Sequence, residues 1–188
     1  MSIGWLIAIA LVSLIVFSLV RLYNGLVSRC NAADNAFSTI DVQLKLRCDL
    51  VPRVVDATRG YMDHERGVLE DLTRLRAQAT ATGVDTATRM ALDAQIGGLL
   101  SRIFLVAEQY PDLKASSAVL MLQRTLNEVE AQLAAARRTY NAAATDYNIH
   151  VESFPTNLAA GILGFRRRSL LEAPAADREP VRVALGAK

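Results

Sequence analysis

The hydrophobic pattern opens with a run that has no polar face. Ile3 to Val20 holds eighteen residues without a charge, interrupted only by Gly4, Ser13 and Ser18. As an α-helix this stretch is about 27 Å long, so with Arg21–Tyr23 as flank it nearly crosses a hydrocarbon core of roughly 30 Å. A cleaved signal peptide needs a basic stretch before the apolar run and a small-x-small cut site after it, and neither is present. Cys30 follows Arg29 rather than the small residue of a lipoprotein box. The pattern predicts a single transmembrane anchor over residues 1–22.

Beyond the anchor the pattern becomes periodic. Tyr23, Leu26, Cys30, Ala33, Phe37, Ile40, Leu44, Arg47 and Val51 are spaced by threes and fours, a heptad seam with one polar break at Arg47. The first helix is therefore expected to leave the bilayer without interruption and to end at Pro52. A second helix is expected from Arg53 to about Ala79. It carries one stripe at Val55, Met62, Leu69 and Leu72 and another at Val54, Tyr61, Val68 and Leu75. Gly60 and Gly67 inside it suggest close helix contacts. Residues 80–84 read as a loop and Asp85 as the N-cap of a third helix. That helix runs through Met90, Ala94, Leu99, Ile103 and Val106 until Pro111 stops it. Ser116 or Ser117 caps a fourth. Its seam is Val119, Leu122, Leu126, Val129, Leu133, Ala136, Tyr140, Ala143, Tyr147, His150 and Phe154, closed by Pro155.

The expected architecture is all-α: a single N-terminal transmembrane helix continuing into a cytoplasmic antiparallel four-helix bundle, up-down-up-down, over residues 23–155. In that topology the fourth helix returns to the membrane. Residues 156–170 then form an amphipathic membrane-proximal segment, with Leu158, Ile162, Leu163, Phe165, Arg166, Arg167 and Arg168 as lipid-contact candidates. Residues 171–188 read as a flexible tail.

Charge refines the topology. Met1 and Ser2 carry no side-chain charge, whereas Arg21 and Arg29, then Lys45 and Arg47, follow the apolar run. The positive-inside rule puts the N-terminus outside and the remainder in the cytoplasm. Cys30 and Cys48 lie about 27 Å apart along one helix, too far for a disulfide within it, which suits a reducing compartment. The formal net charge of +2 offers no basic surplus for nucleic acid, and the arginines lack the interleaved aromatics of a single-strand binder.

His64-Glu65 is the most enzyme-like pair, but a metal site needs convergence. The other histidine, His150, falls near the membrane end of the expected bundle, whereas His64 falls about 18 Å in from the distal end, which separates them by roughly 20 Å or more. Tyr61 and Tyr147 stand three residues before the two histidines, so the Glu-x-x-His pairs of di-iron bundles do not occur. No Gly-rich phosphate loop, Ser-His-Asp order or Cys-x-x-Cys is found, and neither a cofactor nor a metal is expected. Asp41, Arg47, Glu65, Arg76, Glu130 and Arg137 are candidates for a structural polar network inside the bundle, where charges must be paired.

Several stretches resemble the LemA family of bacterial membrane proteins. They are Tyr23-Asn24-Gly25-Leu26-Val27, Ile40-Asp41-Val42-Gln43-Leu44-Lys45 through Arg47, Asp49-Leu50-Val51-Pro52, and Gly60-Tyr61 with His64-Glu65. Further on come Tyr110-Pro111-Asp112-Leu113-Lys114-Ala115, Ala136-Arg137 with Tyr140-Asn141, Tyr147-Asn148, Phe154-Pro155 and Gly164-Phe165. The resemblance implies an N-terminal span, N-terminus outside, and a cytoplasmic helical bundle at the bacterial inner membrane. It names no reaction. The chain departs from the family pattern at Arg53, where relatives usually carry Asn, and at Cys48, which replaces a small residue.

Two functional classes remain open at this level. One is a membrane-anchored scaffold or adaptor acting through protein, lipid or self-association, with the phospholipid membrane, further copies of the chain and a membrane protein as partners. The other is an enzyme or ligand sensor with a polar site in the bundle. A closed apolar core favours the first, and a polar cleft with perturbed carboxylates favours the second.

Overall fold

The computed structural model describes residues 3–62 and 65–171. Every element among them is helical: α1 (Ile3–Thr58), α2 (Arg66–Ala79), α3 (Thr86–Ala107), α4 (Pro111–Lys114), α5 (Ser117–Glu152) and α6 (Thr156–Leu163). The chain divides into two compact units, Met1–Ala33 with Tyr140–Lys188, and Asp34–Thr139.

In the first unit α1 begins with a stretch exposed on every side, from Ile3 through Val20. A helix apolar all round and covered nowhere fits membrane anchoring. Burial begins at Leu26 and Ala33, both fully enclosed, as the seam predicts. α3 is also long and apolar enough to cross a membrane, yet it carries Arg89, Asp93 and Arg102 and contributes Ile96, Leu100 and Ile103 to a protein core. It is a core helix.

The second unit has one hydrophobic core. Cys48, Val51, Val54 and Val55 of α1 meet Val68, Leu69, Leu72 and Leu75 of α2, Ile96, Leu100 and Ile103 of α3, and Val119 and Leu126 of α5. Both expected stripes of the second helix enter this core, apart from Tyr61, which is half exposed.

Three boundaries differ from the sequence expectation. Pro52 does not end α1; the helix continues six residues beyond it to Thr58. Proline lacks the N–H that would bond to the carbonyl four residues earlier, here that of Cys48. That carbonyl instead accepts from Arg76 Nε on α2 at 3.0 Å, so a neighbouring helix supplies the missing donor. The helix ends where Thr58 Oγ1 folds back on Val54 O at 2.8 Å and Gly60 follows in a turn. The second helix accordingly starts at Arg66 rather than Arg53. A Cβ on Gly60 or Gly67 would meet nothing within 4 Å, so neither marks a close helix contact. Third, α3 ends at Ala107, and Pro111 opens the single turn α4 at its first position.

The expected Asp85 cap forms. Asp85 accepts from Thr88 N at 3.0 Å at the start of α3, after Gly83 turns the chain with φ +85°. The Ser116 carbonyl takes the first bond of α5, from Leu120 N. The expected flexible tail lies outside the described residues from Glu172 onward.

Candidate functional site

Each unit holds one polar constellation. That of Asp34–Thr139 is a layer of charge within the helices. Arg47, the polar break in the α1 seam, is buried and donates from Nη1 to Asp93 Oδ2 on α3 at 2.8 Å. Its Nη2 also pairs with Glu130 of α5. Arg137, about two turns further along α5, approaches the same Asp93 oxygen at 3.9 Å. The structure thus joins three sequence candidates, Arg47, Glu130 and Arg137, around a residue that sequence reasoning missed. Asp93 belongs to the buried stripe Asp93, Ile96, Leu100, Ile103 and Ala107, spaced 3-4-3-4. Of the stripe expected from the sequence, Ile103 lies on that face and is buried, whereas Ala94 is exposed and Met90, Leu99 and Val106 are only part-buried.

Burial dominates the electrostatics of this layer. The Asp93 carboxyl is pushed above the ordinary aspartate range by desolvation, only partly offset by Arg47 and then Arg137. Asp93 Oδ1 and the Nε atoms of Arg47 and Arg137 have no hydrogen-bond partner among the described residues, a costly condition for charged groups.

The other network candidates lie elsewhere. Asp41 pairs with Arg89, whose guanidinium also holds Ala79 O and Val84 O and so fastens the α2–α3 connection to α1. Arg76 serves the Cys48 carbonyl, and Glu65 reaches Arg102 at 3.6 Å. A cleft of about 290 Å³ opens beside Asp41, Lys45, Cys48 and Arg89. The Cys48 thiol in its wall is pushed up first by burial and then by the charge of Asp93, which disfavours the nucleophilic thiolate. A second cleft, about 600 Å³, lies over Val55 and Leu69 with Arg59, Arg66 and Arg74 at its edges. Neither cleft includes the Asp93 layer. Among the described residues no three His, Cys, Asp or Glu groups converge as a metal site. His64 lies outside the described residues. His150 packs across α1, with Nε2 3.7 Å from where a Cβ on Gly25 would stand.

The constellation of the first unit is a clasp. After α6 the chain turns at Gly164, φ +77°, and residues 165–171 return along α5 without regular structure. Asn148 holds Arg168 by two bonds, Nδ2 to Arg168 O at 2.9 Å and Oδ1 from Arg168 N at 2.8 Å. Asn141 holds Leu171 in the same way, both bonds at 2.8 Å. The Tyr140 hydroxyl donates to Ser169 O at 2.9 Å, and the Tyr147 ring faces the Arg168 guanidinium at 5.7 Å. In the repeated Tyr-Asn pair, seven residues apart, the two asparagines therefore act in one manner, while Tyr140 contributes its hydroxyl and Tyr147 the face of its ring. Seven helical residues rise about 10.5 Å, close to the roughly 9–10 Å spanned by three extended residues, so successive asparagines meet residues 168 and 171.

The clasp sorts the lipid-contact candidates. Arg168 is drawn against protein, with Nη2 also 3.2 Å from Cys30 Sγ. Phe165 is part-buried, edge-on to Tyr23 at 6.2 Å between ring centroids. Leu158, Ile162, Leu163, Arg166 and Arg167 are exposed, Arg167 reaching Glu152 at 2.8 Å.

These features define an all-helical protein with an N-terminal apolar helix suited to membrane anchoring. The chain belongs to the LemA family, whose model matches residues 36–185. It is 30% identical to Protein LemA of Metamycoplasma hominis over 158 residues, covering 84% of this chain and 72% of that protein. It is 26% identical over 200 residues to Magnetosome protein MamQ 2 of Paramagnetospirillum magneticum, covering 92% of this chain and 74% of that protein. Magnetosome protein MamQ of Magnetospirillum gryphiswaldense is 24% identical, with the same two coverages.

Proposed function

We propose that this chain is a membrane-anchored scaffold or adaptor on the cytoplasmic side of a bacterial inner membrane. In this reading Ile3–Val20 spans the bilayer with the N-terminus outside, and α1, α2, α3 and α5 form an up-down-up-down four-helix bundle. The chain works by binding protein, lipid or copies of itself and catalyses no reaction. The observation that carries the reading is the pairing of a fully exposed apolar helix with a core in which the charged groups serve helix partners rather than a cleft. Two relatives named as magnetosome proteins are consistent with a role in an organised cellular structure.

The test is crosslinking in membranes followed by pull-down of the full-length protein, with a form lacking residues 1–22 as control. A reproducible set of membrane partners that disappears with the anchor is the expected result. An identical set with and without the anchor overturns the reading.

A further inference from the structure

Taken by charge alone, residues 3–33 and 140–171 are distinctly basic. They carry Arg21, Arg29, Arg166, Arg167 and Arg168 against only Asp146 and Glu152. Three of these arginines have partners within the protein: Arg29 pairs with Asp146 at 3.0 Å, Arg167 pairs with Glu152 at 2.8 Å while its side chain stays largely exposed, and Arg168 is held in the clasp. Arg166 and Arg167 remain on the surface. Beside them α6 presents Leu158 and Ile162, four residues apart and therefore on one side, and the turn that precedes the helix exposes Phe154. All three are more than half exposed, Ile162 the most at 87%. The opposite side, Thr156 and Ala160, is buried.

From this we infer that α6 and Arg166–Arg167 form a second membrane contact, which docks on an anionic bilayer surface. The inference rests on the anchored reading above and deepens it. Phe165 touches Tyr23, three residues past the end of the apolar run, so this face stands level with the point where α1 leaves the hydrocarbon. The Tyr-Asn clasp fixes the chain on the far side of Gly164, leaving α6 tied at both ends. An apolar face flanked by exposed arginines matches the headgroup boundary of an anionic leaflet, where the aliphatic side chains enter the acyl region and the guanidinium groups meet lipid phosphate. The clasp also divides the arginine triplet: Arg166 and Arg167 serve lipid, and Arg168 serves as the positioning residue.

The experiment uses the full-length chain in vesicles containing phosphatidylglycerol and lipids brominated near the glycerol end of the acyl chain. Trp5 is the sole tryptophan of the chain and reports the anchor. W5F/I162W places the reporter on α6. The expected result is a blue-shifted emission from position 162, quenched by the brominated lipid. R166E/R167E in the same background should lower that quenching by about half or more, as should vesicles of phosphatidylcholine alone. Quenching of Trp5 with none at position 162 overturns the inference and leaves the anchor standing. Quenching at neither position overturns both. A blue-shifted but unquenched reporter at 162 means that protein covers the face, and it overturns the lipid assignment. Equal quenching in the two vesicle types overturns the role of charge.

Discussion

Asp93 shows what a charge inside a helical core costs and what keeps it there. Its folded-state pKa lies above the unfolded value because burial outweighs the attraction of Arg47 and Arg137. The native state therefore binds the proton more readily than the unfolded chain. Its stabilising contribution is present in full below the ordinary aspartate pKa and is lost as pH rises through the raised folded value. Arg47→Ala removes the guanidinium that most offsets this burial. At neutral pH it is expected to cost about 3–5 kcal/mol, the usual penalty for stranding a buried charge. The deficit should shrink as pH falls through the Asp93 titration, and Asp93→Asn added to Arg47→Ala should recover much of it. Urea unfolding of the four proteins in a double-mutant cycle, at neutral pH and near pH 5, measures this. A cost of Arg47→Ala that does not change with pH or with Asp93→Asn would mean that Arg47 acts by packing alone.

Between helices, Pro52 and Arg76 form a coupled pair. The proline leaves Cys48 O without its helical donor, and Arg76 Nε supplies one at 3.0 Å. Arg76→Ala should cost about 1.5–3 kcal/mol, the range for a charged hydrogen bond. With Pro52→Ala the backbone N–H returns, and the same Arg76→Ala change should cost clearly less. Equal costs in both backgrounds, read by urea unfolding, would show that the Cys48 carbonyl is not the point of coupling. This pair also shows where sequence reading stops. The seams of α1 and α5 were legible because their apolar residues recur by threes and fours, and Leu26, Ile40, Leu44, Leu126 and Leu133 are buried as that spacing requires. The continuation past Pro52 was not legible, because the compensating donor comes from a residue 28 positions away. Asp93 escaped because an acidic residue in a buried stripe breaks the apolar pattern that identifies the stripe. The clasp left a partial trace in the Tyr-Asn repeat, but its ligand is main chain, which has no sequence signature.

For the whole molecule, topology and assembly remain the two decisive properties. The charge asymmetry around Ile3–Val20 predicts an external N-terminus. Ala131 is exposed on α5; an Ala131→Cys reporter, with Cys30 and Cys48 replaced, should resist a membrane-impermeant thiol reagent in intact cells and react once the cells are opened. Labelling in intact cells as strong as an external control would reverse the orientation. The second helix leaves no apolar stripe for assembly, since both of its stripes serve the core apart from Tyr61. Past Tyr23, the large apolar side chains left exposed on α1 are Val42 and Leu46, four residues apart. One such pair is a small contact and would be weak in solution. Anchoring confines copies to a plane and raises their effective concentration, so a weak lateral contact becomes sufficient. Particles extracted in nanodiscs at native protein density should therefore contain more than one copy by single-particle mass measurement, and V42E/L46E should shift them toward monomer. A monomer peak alone for the unaltered chain would rule out self-association and leave other proteins or lipid as the partners of the scaffold.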